Sequence, residues 1–173
     1  PPKEAPRSWL LQHRQELRKL VSFHQYDVHP LLEKEEQQDG LTIRHWWLRV
    51  AGLWTVPATE FIPQEASSNG TILLSDQGRG SLTAEVTKLL ADGNCVLTFD
   101  PFYLGESEIS KRDFLYGLLV ATIGERNLGL QASQIAAIAN WARGSTTNRE
   151  LTVAAHGPRT SLMALVASAC HSG

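Results

Sequence analysis

Apolar and polar positions change rhythm several times along the chain. Between residues 8 and 23, Leu10, Leu17, Leu20 and Val21 fall roughly on one face among charged positions, which predicts a helix capped by Ser8. Residues 26–40 lose that pattern. Pro30 and the run Glu33-Lys34-Glu35-Glu36-Gln37-Gln38-Asp39 predict a solvated loop or short helix. From Leu41 the texture turns to β. Residues 41–50 are rich in Ile, Thr, Trp and Val, Ala51-Gly52 offers a turn, and 53–62 resume the pattern, as in an antiparallel hairpin. Pro57 and Pro63 cannot donate to a ladder, so the second strand is expected at an edge or to break early.

After a polar loop at 65–70, short apolar runs alternate with helical stretches. Strands are predicted at 71–75, 94–99 and 151–155. Helices are predicted at 82–91, 111–123 and 160–169. A further helix starts near Asn127, with Leu128, Ala132, Ile135, Ile138, Ala139 and Ala142 as its apolar stripe. Short buried strands separated by helices build βαβ units. The expected fold class is therefore α/β: a mainly parallel sheet with helices on both faces, preceded by an antiparallel hairpin and an N-terminal helix. Residues 1–40 form the N-terminal helix and loop, and 41–173 form the core.

Charge narrows the partners. Sixteen Lys and Arg against eighteen Asp and Glu leave a net charge of −2, so no basic excess exists to neutralise phosphates and no nucleic-acid partner is expected. The longest apolar stretches, 114–123 and 162–169, fall short of the ~20 residues a membrane span needs, so no membrane partner is expected. Cys95 and Cys170 lie in apolar surroundings and read as small hydrophobes. Their spacing makes no metal site, and no cofactor is expected. The opening Pro-Pro-Lys lacks a methionine, which is compatible with export after loss of a targeting segment.

Ligands of open α/β sheets bind outside the carboxyl ends of the strands. Three loops fall there: 76–81, 100–107 and 156–159. In the first, Gly78-Arg79-Gly80 with Asp100 twenty positions later imitates a dinucleotide fingerprint, but Thr83 holds the third glycine position and Asp76 adds a negative charge. The third follows the layout of a nucleophile elbow, in which G-x-S-x-G lifts a serine from a strand-to-helix turn. Here the turn reads Ala155-His156-Gly157-Pro158-Arg159. Gly157 has no side chain, and Pro158 has no N–H to give an oxyanion. Candidate replacements are Thr160 and Ser161 as nucleophiles and His156 as base, while Arg159 could bind an anion at the helix start. Trp46, Trp47 and Trp54 read either as hairpin packing or as a platform on which a sugar could stack.

Taken together, several segments resemble a known superfamily. They are the leading helix with Arg14 and Leu17-Arg18-Lys19-Leu20, the hairpin with Val56-Pro57-Ala58 and Phe61-Ile62-Pro63, residues 71–81, the stretch VLTFDPFYLGES at 96–107, and a strand into Gly157 followed by an apolar helix. This series is similar to the α/β-hydrolases, nearest to acetyl-xylan-esterase-like and dienelactone-hydrolase-like proteins. The resemblance implies a mainly parallel sheet opening on an antiparallel hairpin, and in active members an ester-hydrolysing Ser-His-Asp triad. It places Gln77 or Gly78 where one oxyanion N–H is offered, with Arg79 in the same loop, and Gly157 where the serine would stand. The acid and the general-base histidine would lie beyond Gly173, so the fold is expected to be truncated at its C-terminus. The expectation is a degenerate, non-catalytic domain that binds or scaffolds, with a carbohydrate or ester as ligand. Either two copies pair or a C-terminal segment is missing. The competing expectation is an active carboxylic ester hydrolase, a carbohydrate esterase with an unconventional nucleophile.

Overall fold

A computed structural model describes residues 6–67, 69–108, 113–145 and 150–171. Helix α1 (Arg7–Val21) is followed by strands β1 (Val28–Gln38), β2 (Leu41–Val50), β3 (Trp54–Pro63) and β4 (Asn69–Ser75). Helix α2 (Thr83–Ala91), β5 (Cys95–Phe99), α3 (Asp113–Thr122), α4 (Asn127–Ser145), β6 (Glu150–His156) and α5 (Pro158–Cys170) complete the order. The strands form one mixed sheet ordered β1-β2-β3-β5-β4-β6. Its β1-β2-β3-β5 side is antiparallel, and β4 pairs in parallel with both β5 and β6.

Helices cover both faces, and the alternation of side chains along β4 and β5 shows why. Leu73 and Val96 point to one face and pack with Leu82 and Val86 around α2. Ile72, Leu74, Leu97 and Phe99 point to the other, into a core shared with Val21 of α1, α4 and α5. Each fully buried Leu or Phe there contributes on the order of 1.5–3 kcal/mol. Helix α4 carries this core: residues 130–138 are all buried, polar Gln131, Ser133 and Gln134 included. Helix α1 is tied to the end of α5, where Arg14 Nε donates to the Ala169 carbonyl (2.9 Å) and Arg18 Nε to that of Cys170 (2.7 Å). Cations at a helix C-terminus meet its negative pole. Both cysteines are buried, and burial pushes the Cys170 thiol above its ordinary value.

Three expectations are corrected. The charged segment at 26–40 is no loop: it is the edge strand β1, almost entirely exposed and paired antiparallel with β2 with a register shift between Leu32 and Lys34. Its charges find partners around it, Glu35 with Arg44 (2.7 Å) and Lys34 with Glu36 (2.7 Å). Strand β3, expected at an edge because of its prolines, is interior. The Pro57 carbonyl accepts the Asp100 N–H on the β5 side, so the proline nitrogen faces that side too, just outside the Ala58–Phe61 stretch that pairs with β5. Ser8 does not cap α1. The N-cap is Pro6, and the helix ends at Ser22 in the left-handed region (φ 57°). The expected helix at 111–123 is seen as α3, its first two positions lying outside the described residues.

Candidate functional site

Strands β5, β4 and β6 run parallel, so their carboxyl ends and the three loops after them meet on one rim. The chain leaves β4 toward β5 through α2 on one face, then returns past β4 to β6 through α4 on the other. A crevice belongs where the direction reverses, between the β4 and β6 loops. Here that crevice is filled from within.

Its plug is Asp76, the first residue after β4. The Asp76 carboxylate accepts the backbone N–H of Thr160 (2.7 Å), that of Arg159 (3.1 Å) and the Thr160 hydroxyl (2.8 Å). An acidic side chain therefore caps α5 at the very N–H groups that an external anion would have used. Burial alone would raise the Asp76 carboxyl, but the amides of Thr160 and Arg159 outweigh it and hold the group below the ordinary aspartate range. Gly157 adopts φ 110°, a region few residues with a side chain enter. A Cβ built there would come within 2.5 Å of Asp76 Oδ2. Glycine is required at this turn because the Asp76 carboxylate fills the space any side chain would occupy.

The amides expected to face an oxyanion are also engaged. Gln77 N–H donates to Ser75 Oγ (3.1 Å) and Gly78 N–H to the Ser75 carbonyl (3.1 Å). Pro158, at the first position of α5, has no N–H. Arg79 N–H donates to Asp100 Oδ1 (2.7 Å), and the Arg79 guanidinium reaches both Asp100 Oδ2 (3.2 Å) and Glu106 (2.8 Å). Asp100 is 1% exposed and also accepts the Glu106 N–H. It is a latch between the β4 and β5 loops. Since a Cβ at Gly78 would lie 2.7 Å from the Gly105 Cα, Gly78 serves the approach of the two loops, while Gly80 faces open space.

The candidates thus separate into groups. Gly157, Arg159 and Thr160 gather around Asp76, whereas Gly78 and Arg79 gather around Asp100. Thr160 is fully buried, its hydroxyl shared between Asp76 and the His156 carbonyl (3.1 Å). His156 is half-exposed, with Nδ1 3.9 Å from Glu85 of α2. Ser161 is exposed and lines a groove of about 500 Å³ with Val153 and Leu165, between α4, α5 and the outer side of β6. Gln77 is exposed at the rim. From the sequence Asp76 is only an added negative charge and Asp100 part of a dinucleotide-fingerprint imitation; in the structure these two carboxylates organise the rim. Among the described residues no group of three His, Cys, Asp or Glu could hold a metal ion, and no helix is long and apolar enough to cross a membrane.

No family model and no curated protein matches the chain. Solved structures do. A protein from Bacteroides fragilis NCTC 9343 assigned as an acetyl xylan esterase is similar over 95% of this chain and 50% of its own, with TM-score 0.79 and 16% identity. A methylesterase is similar over 94% of this chain and 37% of its own (TM-score 0.64, 16% identity). Acetyl xylan esterase 1 from Thermoanaerobacterium sp. JW/SL YS485 is similar over 96% and 54% (TM-score 0.59, 10% identity). At such identities the likeness establishes the fold and nothing of the chemistry. The chain has an α/β-hydrolase fold, and it spans about half the length of these structures or less.

Proposed function

We propose that this chain is a degenerate, non-catalytic α/β-hydrolase-like domain with a binding or scaffolding role. One observation carries the reading: at the elbow and the β4 loop, each candidate oxyanion amide already donates inside the protein, and the nucleophile position is a glycine with Asp76 against it. Acyl transfer needs an attacking oxygen and donors aimed at the developing charge. Neither is offered there. Purified protein is expected to hydrolyse p-nitrophenyl acetate no faster than solvent. A Gly157→Ser variant is expected to gain no turnover and to lose about 1–3 kcal/mol of stability, because the new side chain meets Asp76 in a strained backbone.

The rival reading is an active carboxylic ester hydrolase using Ser161 or Thr160 with His156, and the chain's likeness in fold to esterases favours it. Turnover that vanishes in Ser161→Ala or Thr160→Ala, with the fold preserved, would establish that reading in place of ours. Scaffolding draws support from β6, which among the described residues pairs on one side only and borders the apolar groove holding Val153 and Leu165. That face suits either a second copy of the chain or a further segment that continues the sheet.

A further inference from the structure

Strand β6 is an edge without protection. Natural sheets blunt their edges with charges, prolines and register shifts, and β1 uses all three. Along β6, residues 151–155 hold neither charge nor proline, and the strand pairs with Asn69–Ser75 of β4 in unbroken register. Among the described residues nothing pairs with its outer side, so a regular row of N–H and C=O groups faces outward there. Such an edge is a template for one more strand.

The face beside that edge has a chemistry of its own. Side chains alternate along a strand. Ala154 packs toward α2 and His156 lies near Glu85 of that helix, so Glu150, on the same alternation, belongs to that face as well. Leu151, Val153 and Ala155 turn the other way and line the groove of about 500 Å³, with Ala139 of α4 and Ala164 and Leu165 of α5. One end of this groove is cationic. Arg143 near the end of α4 and His171 just past α5 line it beside the start of β6. Arg14 and Arg18 stand behind them, bound to the last carbonyls of α5. Burial first, and then Arg143, Arg18 and Arg14, holds the His171 imidazole below its ordinary value; the charges that shift it are all positive. Arg143 is exposed and has no ion pair among the described residues.

We propose that the β6 border accepts an extended segment of another polypeptide, with apolar side chains over the groove and an Asp or Glu beside Arg143 and His171. Main-chain hydrogen bonds along the open edge supply attachment, and alternate side chains in the groove supply selectivity. Charge favours this occupant over a second copy. The groove side of a second β6 brings only Leu151, Val153 and Ala155 again, with no carboxylate for Arg143. Self-pairing covers the apolar floor and leaves the cations unanswered, so an acidic strand displaces it. This deepens the binding and scaffolding reading above and rests on it. The two fail separately, since ester turnover refutes the non-catalytic reading and an indifferent β6 refutes only the partner.

The probes are synthetic seven-residue peptides blocked at both ends. One alternates Val and Thr behind a leading Glu, a second has the reversed sequence, and two counterparts carry Lys in place of Glu. The whole chain is titrated with each up to about 5 mM, where affinities near 1 mM are still read. The readouts are NMR shifts and hydrogen exchange of the β6 amides, with sedimentation alongside. A Glu peptide in at least one direction is expected to shift the β6 amides saturably, slow their exchange and reduce self-association. Its Lys counterpart is expected to bind roughly tenfold more weakly, and Arg143→Glu to reverse that preference with the fold unchanged. If Arg143→Glu does not fold, the comparison of Glu and Lys peptides on the wild type decides. Amides of β6 that no peptide moves, equal binding of Glu and Lys peptides, or a preference left intact in folded Arg143→Glu overturns the proposal.

Discussion

Asp76 converts an elbow into a cap, and its titration reads that role directly. Its carboxyl is held below the ordinary aspartate value in the folded chain. A group depressed in this way adds stability above its unfolded value, near pH 3.9, and the contribution disappears as pH falls through the lower folded value. Removing the cap in Asp76→Ala is expected to cost about 1–2 kcal/mol at pH 7 in urea unfolding. The gap to the wild type should narrow below about pH 4. A gap unchanged down to pH 2 would mean that the carboxylate contributes nothing through its charge. At this scale the sequence was half readable. Gly157 and Pro158 show what the turn lacks, but nothing local in Ser75-Asp76-Gln77 announces that Asp76 reaches across to α5, more than eighty positions later.

Elements that obey a single periodicity were legible, and those shaped by their neighbours were not. The buried strands β4 and β5 and the stripe of α4 follow from pattern alone, since both flanks of each strand are covered. Strand β1 was hidden because both its faces meet water, so no alternation marks it, and its charges and register shift are devices that protect an edge. Within α4, Gly129 looks like a defect in a helix, where alanine is normally better by about 1 kcal/mol. The structure reverses that sign. A Cβ at Gly129 would collide with the Val21 carbonyl at the end of α1. Gly129→Ala is therefore expected to destabilise by about 1–3 kcal/mol through overpacking. A rise in melting temperature would show that α1 does not seat there.

Considered whole, the sheet has two unlike borders. One is the charged and bulged β1; the other is β6, beside which Val153 (39%), Leu162 (50%) and Leu165 (66%) remain exposed. Val153 and Leu165 line one groove there, and exposed apolar surface beside a groove suits an interaction face. Sedimentation is expected to show self-association that grows with concentration, and Leu165→Glu or Val153→Lys is expected to return the protein to monomers. A wild-type chain that stays monomeric throughout would remove the second copy from the account. The two borders also limit what kind of assembly can arise. If two copies pair along β6, strand addition there would join one molecule to its twin about a two-fold axis and consume that side of both. Because the opposite flank, β1, is charged and carries a register shift, such a pair would be closed and would seed no filament.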